Sequence, residues 1–356
     1  MKKLSKSTKS SLINYGMVIA LYAVVMIIQL CGGLSNSMKG FLVPVCIYVI
    51  MAVSLNLVVG ILGELSLGHA GFMCIGAYSG AIFSKLTEDT ITVAPIRFTV
   101  AIIIGAAFAA LFGALIGIPV LRLKGDYLAI VTLAFGEIIK NLVNVINFGV
   151  DSNGLHFSLK SAMDMGLAED GKIIIKGAQG ISGTPQDSNF TVGIILVLIT
   201  LFVVQNLVNS RDGRAIMAIR DNRIAAESVG INITKYKLMV FTISAALAGA
   251  AGVLYSHNFS TLTSAGDKFN YNASIMILVY VVLGGIGNIR GSVIAAVILY
   301  ILPEKLRFLS DYRMLVYAVV LIVVMLFNWS PKAKEFKEMV SYKIKGMFAK
   351  KEETQA

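Results

Sequence analysis

The sequence predicts an all-α, polytopic transmembrane helix bundle of about ten spans, with eight to eleven compatible with the pattern. Three observations carry that class. Only 14% of the 356 residues are charged, against about 25% in an ordinary globular domain. The mean hydropathy is +0.79. The few charges are also clustered: residues 11–38, 40–63, 98–121, 190–210, 238–266, 269–289 and 314–331 contain no Asp, Glu, Lys or Arg. A hydrocarbon core about 30 Å thick needs roughly 20 apolar residues at 1.5 Å each. Runs with no polar face have nothing to show water and are not surface helices.

Taken in order, the spans read as 14–33, 40–61, 69–84, 97–119, 127–148, 190–208, 238–257, 271–288, 292–303 and 313–329. The first follows Lys2, Lys3, Lys6 and Lys9, as a signal peptide would. It has no A-x-A-like cleavage site and exceeds a usual signal core, so it is expected to stay as an uncleaved span. Bulky Gln29 and Leu30 before Cys31 argue against a lipoprotein. Segment 69–84 opens on a histidine among glycines, and 292–303 runs only to Pro303. Short or glycine-broken segments of this kind suit half-helices lining a cavity, where bare backbone is tolerated at membrane depth.

Charge orients the chain. Four lysines precede residue 12, and seven lysines against four glutamates follow residue 330. Such basic ends mark the cytoplasmic side, so the net charge of +11 is a membrane signature and implies no nucleic-acid partner. The expected organisation is a cytoplasmic tail (1–13), a transmembrane domain (14–330) and a Lys-rich cytoplasmic tail (331–356). An even number of crossings puts Arg122–Lys124 and 210–237 inside, and the Glu88–Asp89 turn and the 149–189 loop outside. Arg307 and Arg313 fall outside, against the bias; Trp329 reads as an interfacial anchor. Cys31, Cys46 and Cys74, odd in number and without a C-x-x-C, read as packing residues. His156 and His257 have no ligand-like companions, so no metal site is expected.

One segment does not belong in lipid. Residues 210–237 carry nine charges, and burying them at roughly 3 kcal/mol each would cost on the order of 25 kcal/mol. The segment is nevertheless built like a helix over 213–230. Ala215, Ala218, Asn222, Ala225 and Val229 form a small-residue stripe, Arg223 and Glu227 stand four apart, and Gly230 is placed as a C-terminal stop. Two readings are open: a solvated connector, or a docking element whose small face lets a soluble partner approach.

Four stretches together resemble the LivM-type permeases, the membrane subunits of branched-chain amino acid ABC transporters. They are "SLNLVVGILGELSLGHAGFMCIGAY" (54–78), "LRLKGDYLAIVTLAFGEIIK" (121–140), "AIRDNRIAAESVGINITKYKLMVFTISAALAGAAGVLYS" (218–256) and "LVYVVLGGIGNIRGSVIAAVIL" (278–299). The "GISGTP" of 180–185 is similar to the family's external segment, while 155–178 looks like an insertion. The resemblance covers about residues 40–328 and implies a LivM/LivH-type permease fold in a bacterial plasma membrane. It also implies a second related permease, two cytoplasmic ATPases that bind ATP-Mg, and an extracytoplasmic binding protein. Ala225-Ala226-Glu227 with Gly230 matches the family's coupling sequence, so Arg214, Arg220, Arg223 and these four are the expected coupling residues. The chain has no G-x-x-x-x-G-K-[ST] phosphate loop, so it is expected to be no enzyme and to hold no cofactor of its own.

Ionisable groups inside spans are functional candidates. Glu137 lies about 16 Å along its helix from Asp126, with Asn141 and Asn144 on the same face. They form a translocation path for an amino acid, or simply a helix-to-helix hydrogen-bonding stripe. Lys140 snorkels. Gly60, Gly63, Glu64, Gly68 and His69 mark one break, and Gly284, Gly285 and Gly287 another; each is a gate or hinge, or a capped helix end. Arg122, Lys124 and Asp126 mark the membrane edge, with ATPase contact as the alternative. A stand-alone secondary carrier or channel, a urea, amide or sugar transporter of the same class, and a lipid-modifying membrane enzyme are the competing functions.

Overall fold

The computed structural model describes residues 6–33, 35–123, 125–151, 154–160, 165–167, 171–264, 266, 268–306 and 312–329. Lys124, Arg307 and the tail 331–356 lie outside the described residues, as do the side chains of Arg313 and Trp329. Among the described residues twelve α-helices follow one another: α1 (Lys6–Leu30), α2 (Asn36–Asn56), α3 (His69–Leu86), α4 (Ala94–Val120), α5 (Asp126–Val145), α6 (Phe190–Asn209), α7 (Arg211–Asp221), α8 (Arg223–Ser228), α9 (Ile233–Ser256), α10 (Tyr271–Gly284), α11 (Ile289–Lys305) and α12 (Arg313–Trp329). A π-helical turn, Leu57–Leu62, extends α2. Residues 1–297 form one compact unit and 298–356 a second, whose described part is the end of α11 and α12.

Among the described residues six helical stretches are long and apolar enough to cross a membrane: Ser11–Leu30, Met38–Leu62, Ala94–Val120, Asp126–Val145, Phe190–Asn209 and Ile233–Ser256. The spans expected at 69–84, 271–288, 292–303 and 313–329 are helices as well, α3, α10, α11 and α12. They are shorter, at 18, 14, 17 and 17 residues. Segment 271–288 does not run through: α10 stops at Gly284, and the chain turns at Gly285 (φ 95°) and Gly287 (φ 79°) before α11.

Apolar side chains cannot by themselves choose the core of such a bundle, because lipid tails are as apolar as leucine. Ile103, Leu111 and Leu115 of α4 are exposed, as lipid-facing residues are. Packing is set by small residues instead. A Cβ on Gly76 would stand 2.1 Å from the Gly249 carbonyl oxygen, one on Gly249 would stand 2.4 Å from Ala109 Cβ, and one on Gly105 would stand 2.2 Å from Val253 Cγ2. So α3, α4 and α9 touch backbone to backbone. Phe72 then packs its ring 5.2 Å from Phe135 and 5.5 Å from Phe241, centroid to centroid. The apolar stretch of α2 is entirely buried, whereas only 11% of that of α1 is, which makes α2 central and α1 peripheral.

The 149–189 loop adds what the helical reading left out. β1 (Asn147–Asp151), β2 (Gly154–Ser158) and β3 (Lys172–Lys176) form an antiparallel sheet in the order β2-β1-β3. β4 (Ile181–Ser182) pairs with β5 (Thr261–Leu262) just beyond α9. The chain from β4 to α6 is tied to the helix ends around it. Arg97 bonds Asp187 at 3.0 Å, Thr184 Oγ1 donates to the Phe259 carbonyl, and Lys85 Nζ donates to the Ser182 carbonyl. His257, expected to be isolated, is buried and bonds Ser84 Oγ at 2.7 Å; His156 pairs with Asp151 at 3.0 Å. On the surface, the hydrogen bond from Lys172 holds the Asp89 carboxyl below its usual pKa, and the same bond raises Lys172. Both are exposed, so the pair contributes little to stability.

Candidate functional site at the junction of three chain breaks

The polar segment between α6 and α9 is two helices, not the single one expected over 213–230. Asn222 adopts extended backbone (φ −154°, ψ 103°), and its Oδ1 accepts from the Ala225 N–H at 3.1 Å. Asparagine offers the backbone this alternative to helix, which is why it caps α8 instead of continuing α7. Ser210 caps α7 in the same way, accepting from Gly213 N. Gly230 is the left-handed stop expected of it, with φ 83° and a 3.0 Å bond from its N–H to the Glu227 carbonyl.

The small-residue stripe is split: Ala215 and Ala218 of α7 are half-buried, whereas Asn222, Ala225 and Val229 are exposed. Ala226 is buried with Ile219 and Ile233, and Ala218 packs against them. Arg214, Arg220, Arg223, Ala225, Glu227 and Gly230 are exposed, and so are Ile224 (81%) and Val229 (74%). No ion pair joins Arg223 to Glu227 among the described residues. The face shown to solvent therefore sets two apolar side chains among charges: Val229, which the stripe included, and Ile224, which it did not.

Three motifs far apart in sequence meet at Gly60. The Arg220 NH1 donates to the Gly60 carbonyl at 3.1 Å, while its other nitrogens bond Asp221. A Cβ on Gly60 would lie 2.2 Å from Gly287 N and 2.0 Å from Asn56 Oδ1. The Gly287 N–H donates to Asn56 Oδ1 at 2.9 Å, and Asn56 Nδ2 donates to Ser292 Oγ at 2.9 Å. Gly63, in left-handed backbone, leaves room for the Arg220 side chain. Gly284 packs on the backbone of Gly291 to close the α10–α11 turn. Asn56 and Ser292, both fully buried, were missed from sequence. The available signal was a lone amide inside the charge-free run 40–63.

Glu64 and His69 flank the first break but have different partners. Glu64 forms an ion pair with Lys237 of α9, whose side chain is only 4% exposed. His69 is buried, with Nε2 2.7 Å from Ser54 Oγ, and does not cap α3. Between them Leu67 N donates to Thr132 Oγ1 and Gly68 packs against the Thr132 carbonyl; just after His69, Ala70 N donates to Ser274 Oγ. Removing one member of a buried ion pair strands the other. Lys237→Met is expected to cost about 3–5 kcal/mol of stability, and the double variant Lys237→Met/Glu64→Leu to regain most of it. Thermal unfolding in detergent checks both. Beside this pair lies a cavity of about 350 Å³ lined by Leu62, Glu64, Leu65, Asp126, Ile219, Arg220, Arg223 and Lys237.

Glu137 stands where α5 meets the start of α10. Its Oε1 accepts the Tyr271 N–H at 2.8 Å, an orphan donor of the α10 N-terminus that a carboxylate suits well. Lys140, expected to snorkel, instead pairs with Glu137 at 3.4 Å. Asn144 Oδ1 accepts from Ser264 at 3.4 Å, and Asn141 is exposed. Among the described residues no group of three or more His, Cys, Asp or Glu could hold a metal ion.

Residues 37–325 match the family model described as branched-chain amino acid transport system, permease component. The chain belongs to that family. This permease is a multi-pass membrane protein of transport, and the LivM-type resemblance is borne out. It is 36% identical over 296 residues to the high-affinity branched-chain amino acid transport system permease protein LivM of Escherichia coli, covering 80% of this chain and 67% of that one. It is 35% identical over 295 residues to LivM of Salmonella typhimurium, with the same coverage. It is 27% identical to the ribose import permease protein RbsC of E. coli over 330 residues, 90% of this chain and 94% of that one. No solved structure matches it.

Proposed function

We propose that this permease is the translocation subunit of an ATP-driven importer for branched-chain amino acids, with the α7–α8 segment as the cytosolic lever that partner ATPases move. The observation that carries the proposal is the meeting at Gly60 of Arg220 with the breaks after α2 and after α10. A displacement of α7 bears directly on both. Exposed Ile224 and Val229 among charges suit a soluble partner. Both termini then lie in the cytoplasm, the strand-bearing loop faces an extracytoplasmic binding protein, and ATP-Mg is held by the ATPases. The greater identity to the LivM relatives than to the ribose permease supports an amino acid as cargo.

The path is assigned to Glu137, Asn141 and Asn144 of α5. Polar groups on the partly open face of a spanning helix are costly against lipid and need a wet or protein neighbour. A second, related permease packed there would supply it. Glu137→Gln is expected to change uptake rate or substrate preference, measured as kcat and KM in proteoliposomes. Unchanged kinetics would leave Glu137 as the α10 cap alone. The proposal as a whole is tested by purification from native membranes. Two ATP-binding subunits and a second permease should accompany the chain, whereas a stand-alone carrier comes alone and accumulates solute without ATP.

A further inference from the structure

The cavity of about 350 Å³ beside α7 and α8 falls at the small end of the roughly 300–1,000 Å³ range of small-molecule sites. Its lining has a particular chemistry. Arg223 of α8 and Asp126 at the start of α5 both border it. Neither has an ion-pair or hydrogen-bond partner among the described residues, unlike Glu64 with Lys237 or Arg220 with Asp221. Leu62, Leu65 and Ile219 supply an apolar wall. Two unpaired charges of opposite sign bordering one partly apolar cavity that leave each other unbonded are complementary to a zwitterion with an aliphatic side chain.

We propose that this cavity is a second binding site, for a free aliphatic amino acid, with Arg223 receiving the carboxylate and Asp126 the ammonium. It is separate from the Glu137 path. An occupant ties α8 to the start of α5, and so holds the polar segment against the bundle. Resting on the transport reading above, the site lies on the cytosolic side, where accumulated product would slow further import.

The test uses the full chain in nanodiscs and isothermal titration with L-leucine, N-acetyl-L-leucine, which lacks the ammonium, and L-leucinamide, which lacks the carboxylate. The wild type is expected to prefer leucine over both by about tenfold or more, the size of one charged hydrogen bond. Asp126→Asn should erase the preference over N-acetyl-leucine and keep that over leucinamide; Arg223→Gln should do the reverse. A variant that merely disturbed the fold would lower both preferences together. Absence of leucine binding to the wild type, or binding that neither variant alters, overturns the site. So does a cross-link from position 223 to a co-purified ATPase that fills the cavity and abolishes leucine binding. In proteoliposomes of the complete transporter, leucine on the side of the α7–α8 segment should slow ATP-driven uptake, and Asp126→Asn should relieve it. Uptake unaffected by that leucine removes the brake, while a wild type without uptake fails the transport reading whatever the titrations give.

Discussion

Gly230→Pro is expected to abolish ATP-driven uptake while the protein still inserts in the membrane. Gly230 holds φ at 83°, and its N–H closes the end of α8 onto the Glu227 carbonyl. Proline fixes φ near −65° and has no N–H, a change worth about 3 kcal/mol or more. The penalty falls on a six-residue helix outside the apolar spans, so insertion is unaffected while α8 loses its place. Gly230→Ala is the graded control. No atom lies within 4 Å of its added Cβ, leaving only the left-handed backbone cost of about 1–2 kcal/mol, and partial uptake is expected. Glu227→Lys gives an independent reading of the same surface. Glu227 is exposed at the last turn of α8, where a helix favours a cation, so reversal does not harm the fold. Loss of uptake in that variant therefore reports a lost partner. Labelled-substrate uptake, alongside protease mapping of insertion, measures all three; full uptake by Gly230→Pro and Glu227→Lys counts against the coupling role.

Gly252→Val is expected to prevent stable packing of the bundle altogether. Its Cβ would lie 2.0 Å from the Met73 carbonyl oxygen and 2.8 Å from Ala77 N, both backbone atoms of α3 that cannot rotate away. Overpacking a core costs typically 1–3 kcal/mol, and more where backbone must separate; here α3 and α9 would be driven apart along their whole contact. The expected outcome is aggregation or degradation in place of a single detergent-solubilised species by size-exclusion chromatography. Gly16→Val in α1, with nothing within 4 Å, should elute as the wild type does. A well-behaved Gly252→Val protein would show that the α3–α9 crossing is looser than described.

Gly230 and Gly252 differ in how far they could be read in advance. Gly230 declared itself, because a glycine after a periodic polar stretch ends a helix through its own backbone. Gly252 looks like any other glycine in "AALAGAAGVLYS", and only the proximity of Met73 gives it a role. The same contrast runs through the site. The break at Gly60–Gly71 and the turn at Gly284–Gly291 were both visible as glycine clusters, yet their contact through Asn56 was not. Asn222 was read as part of a small-residue stripe, and its capping side chain cut the helix in two.

Membrane residence, six of the long apolar helices and the polar helix-forming segment between α6 and α9 were determined by the sequence alone, since lipid penalises each charge locally and a run either contains one or does not. Which helices touch, that Ala226 of α8 turns inward while Ala225, Ile224 and Val229 turn out, and that Arg220 reaches Gly60 were decided only in the tertiary structure. The physical reason is that lipid and protein interior are equally apolar, so neither hydropathy nor period selects a partner. Close approach of backbones does, and that depends on residues hundreds of positions apart.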